Sequence, residues 1–486
     1  MIHKDVLSQA DHLMHATSQE ALEMGRIGID RLNDNPEAAR YHLAYADWAP
    51  WTQEDWIAEL DPQSLKRTNI YVDFPFCPQV CSFCAFYPEL DRKGDRVDLY
   101  ADQLQTEIRL LGELLDGKQM AVSALEFGGG TPTQMSAQQL RDVCATLAAT
   151  FPVTDDVERN FESTPEKLLG PDGEEKVAAL REAGFDRASM GAQSFDQSVL
   201  DLANRHHSPD ETRAAMKVLR DAGFERINID IMIGLRGQSL DSALATIEET
   251  IAIDPDIIEL YTMRYFDTKR PVPMTRHFLH HPEDFLTEEE AMRARLYAHV
   301  RLTGLGYVSS NGRTYFRDRG EGDYYAMFYK GNFLGDNVLG IGRKSHSNMY
   351  PFQYANFRNL EKYGAALEAG RLPIATGIRM TDEMRLAKLI SGGLQLRTPF
   401  DFAAACARFP SVDPAPFAAQ FDKLAAAGLV TLSEGRVTRT ERGFFFIEEM
   451  LKSLYDVAQS QFNQDVTFLG AAQRKMRPPK ESPAVS

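Results

Sequence analysis

The sequence predicts an α/β protein built on a parallel, barrel-like sheet, with a smaller α+β module after it. From Asn69 onward, short β-branched runs alternate with longer helical stretches. Helix boundaries are marked by N-cap candidates at Ser136 and Ser208 and by glycines at 184 and 223. Six strands joined by crossover helices imply parallel pairing, because a parallel partner is reached only through a long connection.

The predicted strands and helices alternate from residue 68 to residue 265. The strands cover 68–76, 122–129, 158–163, 187–193, 226–233 and 257–265. The helices cover 95–115, 136–150, 173–183, 209–222 and 239–253. Ligand sites in parallel sheets lie at the C-terminal ends of the strands. The residues that follow each strand are therefore the first candidates for function.

Composition and charge narrow the class of protein. The chain has 486 residues, enough for two or three domains, and a formal net charge of −17. This charge disfavours a nucleic-acid partner, which needs a basic face. No run of eighteen apolar residues occurs, so we expect no transmembrane segment and a cytoplasmic protein. A reducing compartment would keep thiols free to bind metal.

Three cysteines lie within eight residues, at Cys77, Cys81 and Cys84. Thiolates are the usual ligands of iron–sulfur clusters, and three of them on a [4Fe–4S] cluster leave one iron open to a small molecule. A structural zinc site would need a fourth ligand, and an odd total of five cysteines argues against a disulfide framework. The other two, Cys144 and Cys406, lie in predicted helices and are expected to be bystanders.

Further candidates follow the next strands. A glycine run from Gly128 allows a ligand to approach the backbone closely, although glycine after a strand is often only a turn. Glu162 and Asp230 could accept hydrogen bonds from ammonium or ribose hydroxyl groups, and Arg205 could pair with a carboxylate. Each could equally belong to a structural ion pair. Their common position at strand ends predicts one shared mouth.

Several segments together resemble the radical S-adenosylmethionine (SAM) enzymes of the HemN-like branch, named for the oxygen-independent coproporphyrinogen oxidase. The segments are Tyr71-Val-Asp-Phe-Pro-Phe-Cys with its C-x3-C-x2-C spacing, Glu126-Phe-Gly-Gly-Gly-Thr-Pro-Thr, Phe161-Glu-Ser-Thr-Pro, Met190-Gly-Ala-Gln-Ser-Phe and Asn228-Ile-Asp-Ile-Met-Ile-Gly. The resemblance covers about residues 65–450. It implies a partial (β/α)6 TIM-like radical SAM barrel with a C-terminal α+β, winged-helix-like module.

The resemblance also implies a division of the chain into five parts. These are a helical lead-in at 1–64, the barrel at 65–285, a HemN-like extension completing the substrate side at 286–375, the winged-helix-like domain at 376–472 and a disordered tail at 473–486.

The cofactors implied by the resemblance are one [4Fe–4S] cluster on Cys77, Cys81 and Cys84 and two molecules of SAM. Tyr71, Gly129 and Glu162 match residues around the first SAM. The matches to the second SAM site are Phe83, Gly130, Thr131, Gln193, Arg205 and Asp230. An external one-electron donor of the flavodoxin or ferredoxin type is implied as a partner.

One departure from the family pattern directs the choice of reaction. The porphyrinogen oxidases of this branch have another cysteine two places after the third ligand, where this chain has Phe86. We therefore predict a class C-like radical SAM methyltransferase, which transfers a SAM-derived methyl or methylene group to an sp2 carbon of an aromatic, quinone or polycyclic acceptor. An anaerobic haem-degrading enzyme and a non-catalytic haem chaperone, with His346 as an axial ligand, are the alternatives, followed by a coproporphyrinogen III dehydrogenase.

Overall fold

The computed structural model describes residues 2–14, 49–50, 59–60, 64–86, 88–91, 93–116, 120–263, 271–318, 331 and 333–457. The lead-in predicted over 1–64 is covered only in part, and the tail predicted over 473–486 lies outside the described residues. A helical stretch at residues 4–14 is attached to the rest of the chain through an ion pair between Asp11 and Arg293.

The described residues form eighteen strands. They are β1 (Ala49–Pro50), β2 (Thr68–Phe74), β3 (Phe76–Cys77), β4 (Glu89–Leu90), β5 (Val122–Gly129), β6 (Val153–Ser163), β7 (Arg187–Gln193), β8 (Arg226–Ile233), β9 (Ile257–Thr262), β10 (Tyr307–Ser309), β11 (Thr314–Arg317), β12 (Asn337–Ile341), β13 (His346–Met349), β14 (Phe352–Asn356), β15 (Ile374–Arg379), β16 (Phe400–Asp401), β17 (Val430–Ser433) and β18 (Arg436–Arg439).

The labelled helices are α1 (Asp95–Leu114), α2 (Ala137–Thr150), α3 (Pro165–Leu168), α4 (Gly173–Glu182), α5 (Gln197–Leu202), α6 (Pro209–Asp221), α7 (Leu240–Ala252), α8 (Pro273–His280), α9 (Glu288–Gly304), α10 (Leu360–Glu368), α11 (Asp382–Gly393), α12 (Phe402–Ala407), α13 (Ala415–Ala426), α14 (Glu441–Phe445) and α15 (Ile447–Val457). Short 3-10 turns cover Ser64–Lys66, Pro132–Gln134 and Pro282–Asp284.

The largest sheet has thirteen strands, and its centre is parallel. The spatial order is β1-β15-β14-β13-β12-β2-β5-β6-β7-β8-β9-β11-β10. Strands β2 and β5 to β9 are the six predicted from the sequence, and they pair in parallel in that order. The mixed α/β fold with a partial barrel is confirmed. Because β1 and β10 do not pair with each other, the sheet is open.

One strand was not expected in the parallel part of the sheet. β12, which comes from the region assigned to the downstream extension, pairs in parallel with β2 over five residues. It therefore extends the parallel sheet to seven strands. Its residues are completely buried, as expected of a strand covered on both faces. The turn after β12 consequently reaches the same mouth as the turn after β2.

The helix signals in the sequence were reliable. Ser136 and Ser208 cap α2 and α6 as full capping boxes, with Gln139 and Glu211 bonding back to the capping residues. Gly184 follows α4 with a φ of 81°, a left-handed conformation that favours glycine. The five crossover helices end within one residue of their predicted bounds.

The C-terminal module has a hydrophobic core of its own. Its helices and strands follow the order α11, β16, α12, α13, β17, β18, and β18 is the central strand of a three-stranded sheet. This is the order of a winged helix. Leu386, Phe421, Leu424 and Met450 are almost completely buried there. The winged-helix-like topology is confirmed, whereas the domain boundaries remain predictions.

Candidate active site

The three cysteines lie in a loop at the C-terminal end of β2, and each is partly exposed. Cys77 belongs to the short strand β3, and the amide of Cys84 donates to the carbonyl of Cys81 (3.1 Å). Asn204, which follows α5, supports the loop because its Nδ2 donates a hydrogen bond to the carbonyl of Val80 (2.7 Å). The loop is thus attached to the barrel independently of any ligand.

Two hydrogen-bond donors face the thiol groups. Thr131 Oγ1 lies 3.5 Å from Cys77 Sγ, and Arg205 Nη1 lies 3.4 Å from Cys81 Sγ. Arg205 is itself held by a hydrogen bond from its Nη2 to the carbonyl of Gly191 (2.5 Å). Both residues were predicted to contact the second SAM. In the structure they also provide donors to sulfur, which stabilise thiolates and influence the reduction potential of a cluster.

The chemistry of these thiols fits an iron–sulfur cluster. Burial raises the pKa of Cys77 to about 12 and that of Cys84 to about 11, even with Arg205 nearby, so both thiols are protonated at neutral pH when no metal is bound. A bound metal deprotonates a coordinating thiol. Three thiolates in one loop are a donor set that suits an iron–sulfur cluster. Across the described residues, no three His, Cys, Asp or Glu side chains are grouped as ligands of a single ion.

The glycine run at the end of β5 lies close to backbone and side-chain atoms of neighbouring segments. A Cβ on Gly128 would lie 3.0 Å from the carboxyl of Glu162 and from the hydroxyl of Tyr71. A Cβ on Gly130 would lie 2.6 Å from the carbonyl of Phe76, and Gly129 has a φ of 100°. These glycines therefore have a structural reason to lack a side chain, while their assignment to SAM stays a prediction. The same contacts bring Gly128 and Glu162 together, as predicted from their positions at strand ends, and place Tyr71 beside them.

Acidic side chains cluster inside the barrel below the mouth. Part of Glu162 is open to the mouth, yet the protein packed around it desolvates the carboxyl and, together with Glu126 and Asp230, raises its pKa to about 8. Desolvation and the charge of Glu259 raise the pKa of Asp230 to about 7. Such a group of carboxyls favours a cationic ligand, because a positive charge would offset both desolvation and mutual repulsion.

The remaining predicted site residues line the same mouth. Gln193 lies at a bulge between β7 and β8 and has a φ of 68°, a strained backbone conformation for a residue with a side chain. A Cβ on Gly191 would lie 2.7 Å from Gln193 Nε2. Phe83 packs against a small apolar cluster that includes Met263 and Met274. The assignment of these residues to two SAM molecules remains a prediction.

Several polar residues of the site were missed in the sequence. Asn160 donates to Glu126, and the buried Arg187 lies 3.9 Å from Glu126 and 3.8 Å from Glu158. The sequence signal that could have identified these residues is the occurrence of charged residues at alternate positions of otherwise apolar strands. Next to Arg205, Gln79 Nε2 donates to Glu166 Oε1 (2.8 Å), and His207 Nδ1 lies 3.6 Å from Glu166 Oε2.

His346, the suggested haem ligand, lies in β13, and desolvation with the nearby Lys344 lowers its pKa to about 4. Cys144 is buried in α2, whereas Cys406 in α12 is partly exposed. No helix among the described residues is long and apolar enough to cross a membrane.

Comparison with known families identifies the class of protein. The family model of the radical SAM superfamily matches residues 71–250. This segment contains most of β2, the strands from β3 to β8, the three cysteines and nine predicted SAM residues. Residues 71–250 are therefore a radical SAM domain, and this family implies a [4Fe–4S] cluster and SAM as cofactors.

The relatives define the branch. An oxygen-independent coproporphyrinogen III oxidase of Bradyrhizobium diazoefficiens is 26% identical over 412 residues, covering 82% of this chain and 88% of the relative. A protein of the same name from Paracoccus denitrificans is 32% identical over 207 residues, 43% of this chain and 44% of the relative. The structure of coproporphyrinogen III oxidase (HemN) from Escherichia coli has the same fold, with a TM-score of 0.74 at 23% identity over 87% of this chain and 99% of that one. The chain is HemN-like.

These relatives correct the predicted reaction. The methyltransferase prediction was wrong, as was the low rank given to coproporphyrinogen, because the curated relatives are consistently named coproporphyrinogen III oxidases. The prediction gave one position, Phe86, more weight than similarity along four-fifths of the chain. The family-level predictions of radical SAM chemistry and a small-molecule substrate are confirmed.

Proposed function

We propose that this chain is an oxygen-independent oxidase of a porphyrinogen, acting on the propionate side chains of coproporphyrinogen III or a closely related tetrapyrrole. The observation that carries this proposal is the extent of the similarity to the Bradyrhizobium protein, which covers 82% of the chain. That similarity extends well beyond residues 71–250, the part common to radical SAM enzymes. It therefore includes regions outside the cofactor-binding core, where substrate selection resides.

The reaction would convert a propionate into a vinyl group. When bound, the cluster and SAM would supply a 5′-deoxyadenosyl radical that takes a hydrogen atom from carbon. In the side chain, the C–H bond next to the pyrrole breaks, then the bond to the carboxylate breaks and carbon dioxide leaves. The remaining electron passes to a one-electron acceptor. Each vinyl group formed thus consumes one SAM and yields methionine and 5′-deoxyadenosine.

The residues at the mouth have separate tasks in this proposal. Cys77, Cys81 and Cys84 hold the cluster, while Thr131 and Arg205 donate to two of their sulfur atoms. For the first SAM, Glu162 pairs with the amino group, and Tyr71 and Gly129 shape the space beside it. Glu162 is partly exposed, and its carboxyl lies beside Gly128 in the glycine run.

A second SAM beside the first is part of the proposal. Its residues would be Phe83, Gly130, Thr131, Gln193, Arg205 and Asp230. Four of these six belong to, or follow within two residues, strands that end at the mouth; the side chain of Gln193 lies against Gly191, whose carbonyl accepts a hydrogen bond from Arg205. Two propionates require two SAM molecules, so a second bound SAM would supply the second oxidation.

Phe86 does not oppose this function. Its side chain is 64% exposed, and its carbonyl accepts a hydrogen bond from Lys344 Nζ (2.7 Å). Position 86 therefore lies on the surface of the cysteine loop. We propose that the three cysteines suffice to hold the cluster.

The experiment is an anaerobic incubation of the iron–sulfur-reconstituted protein with SAM, dithionite and coproporphyrinogen III, followed by mass spectrometry. We expect products that have lost carbon dioxide and two hydrogen atoms from one or two side chains, together with 5′-deoxyadenosine. Cys81→Ala serves as the control that lacks the cluster. SAM cleavage with an unchanged tetrapyrrole would refute the proposed substrate and leave the radical SAM assignment intact.

A further inference from the structure

Glu166 lies between the cysteine loop and the barrel, and neither the sequence nor the proposed reaction assigns it a task. It belongs to the short helix α3, four residues after Glu162, and its side chain is 17% exposed. A carboxylate at such a position loses most of its hydration and therefore needs partners in the protein. The partners of Glu166 come from two separate segments of the chain, and both segments support the cluster loop.

The first partner of Glu166 belongs to the cysteine loop itself. Gln79 lies between Cys77 and Cys81, and its Nε2 donates to Glu166 Oε1 at 2.8 Å. Gln79 is 6% exposed, so water competes little for this hydrogen bond. A hydrogen bond to a charged acceptor is about twice as strong as one between neutral groups. The bond therefore restrains the part of the loop that joins the first two thiols.

The second set of partners follows α5. Glu166 Oε2 lies 3.6 Å from Nδ1 of His207, which is 1% exposed, and Arg205 is 6% exposed. Burial acts to raise the pKa of Glu166, but the positive charge of Arg205 and the hydrogen bond from Gln79 hold that pKa below its usual range. Burial and Arg205 lower the pKa of His207 to about 4, so the imidazole is neutral. Glu166 is thus a carboxylate that balances the buried charge of Arg205.

These contacts connect both sides of Cys81. On one side, Arg205 Nη1 lies 3.4 Å from Cys81 Sγ. On the other side, Gln79 precedes Cys81 by two residues and is bonded to Glu166. Because Glu166 interacts with Gln79 and with Arg205, it links the loop backbone to the donor that faces the thiol. The distance between Cys81 Sγ and that donor therefore depends on Glu166.

We infer that Glu166 is a positioning residue for the cluster, which holds the loop segment between Cys77 and Cys81 against Arg205 through its hydrogen bond with Gln79. Its effect is on the retention of iron and not on the recognition of a tetrapyrrole. The inference rests on the proposed assignment of the cluster to the three cysteines, and the iron content of the wild type tests that assignment separately. It holds for any reaction that the cluster supports.

The test is a double-mutant cycle on the reconstituted full-length protein. The rate at which an iron chelator removes iron is measured anaerobically, without SAM or tetrapyrrole, for Glu166→Ala, Gln79→Ala and the double variant. Glu166→Gln is the rescue variant, because its side-chain oxygen can still accept the bond from Gln79. Gln138→Ala is the matched control, since it removes a hydrogen bond of the same 2.8 Å length between a glutamine and a carboxylate on the exposed face of α2.

We expect each single alanine variant to lose iron about tenfold faster than the wild type, the factor for one hydrogen bond to a charged group. The double variant should lose iron no faster than Glu166→Ala, because both changes remove the same bond. Glu166→Gln should stay within about threefold of the wild type, since it keeps an acceptor for Gln79. The Gln138→Ala control should match the wild type.

Two results would overturn the inference. One is iron loss at the wild-type rate in Gln79→Ala, a change confined to the loop that keeps the test valid even if Glu166→Ala does not fold. The other is a rate in the double variant equal to the product of the two single effects, which would mean that the residues act independently. Since no tetrapyrrole is present, an error in the proposed substrate cannot produce either result.

Discussion

Glu107 and Glu162 are both carboxyl groups in the interior of the molecule, but their surroundings differ. Glu107 on α1 is 1% exposed and accepts hydrogen bonds from the amide of Gly342 (2.7 Å), Asn356 Nδ2 (2.7 Å) and Tyr363 Oη (2.6 Å). Glu162 at the end of β6 is partly open to the mouth. Burial raises the pKa of Glu107 to about 7 and that of Glu162 to about 8.

The difference between these residues lies in their partners. Three donors from separate segments converge on Glu107, so its charge is satisfied and it connects α1 to the turn after β12, to β14 and to α10. Glu162 instead has one backbone hydrogen bond, from Gly129, and lies near two further carboxyls, Glu126 and Asp230; burial and the charges of these carboxyls raise its pKa. A raised pKa therefore does not mark a functional residue by itself. Partial exposure and repulsion from neighbouring carboxyls distinguish Glu162, the proposed binding group, from the structural Glu107.

The largest expected effect lies at the cluster. Replacing Cys77, Cys81 or Cys84 with alanine should abolish both the brown chromophore and SAM cleavage, because each thiolate holds one iron. Iron analysis and 5′-deoxyadenosine formation measure this. Cys144→Ala and Cys406→Ala are the controls and should retain normal iron. A triple variant of the loop that still bound iron would disprove the assignment.

Glu162→Gln should lower the rate of SAM cleavage by about 100-fold or more at normal iron content, because losing a partly buried charge partner costs about 2–5 kcal/mol. Glu107→Gln is the matched control, with the same change at a site closed to ligands. Its SAM cleavage at low temperature should stay within about twofold of the wild type. Equal loss in both variants would contradict the distinction between the two carboxyls.

Thermal stability should fall more in Glu107→Gln than in Glu162→Gln, the reverse of the order expected for SAM cleavage. In Glu107→Gln, the amide nitrogen must face a donor that the carboxylate accepted, and an unsatisfied buried group costs about 1–3 kcal/mol. Anaerobic thermal unfolding of the cluster-loaded protein should show a Tm lower by several degrees. At pH 5, Glu162→Gln should leave the Tm nearly unchanged. A Tm for Glu107→Gln equal to that of the wild type would mean that its three hydrogen bonds add little stability.

The smallest expected effect is the pH dependence of thermal stability in Glu162→Gln. Because the pKa of Glu162 rises from 4.5 to about 8 on folding, the folded state holds this proton more tightly than the unfolded state. Its contribution to stability is complete below pH 4.5 and is lost as the pH rises through 8. Glu162→Gln cannot ionise, so without SAM it should exceed the wild-type Tm by about 2–4 °C at pH 8.5 and match it at pH 5. An equal difference at both pH values would exclude this titration.

The sequence was sufficient for the regular parts of the fold. The bounds of β5, β7 and β8 were predicted correctly, because β-branched runs and capped helices are local signals. The addition of β12 to the parallel sheet depends on a pairing with β2 across more than two hundred residues, which no local pattern encodes.

The candidate site shows the same limit. Cysteine spacing identified Cys77 as a candidate, and a strand-end position identified Glu162, because each residue lies in a short sequence motif. The three partners of Glu107 and the approach of Arg205 to Cys81 arise only from tertiary packing. The reaction was predicted wrongly because Phe86, which stands where the porphyrinogen oxidases have a further cysteine, was given more weight than similarity along most of the chain.

The most direct test of the proposed reaction uses coproporphyrinogen III deuterated in its propionate side chains at the carbon next to the pyrrole. It is incubated anaerobically with the reconstituted enzyme, unlabelled SAM and dithionite, and a parallel incubation contains methyl-deuterated SAM and unlabelled tetrapyrrole. The account predicts deuterium in 5′-deoxyadenosine only in the first incubation, with one labelled molecule formed for each vinyl group. Deuterium that arrives only from the SAM methyl group would contradict it.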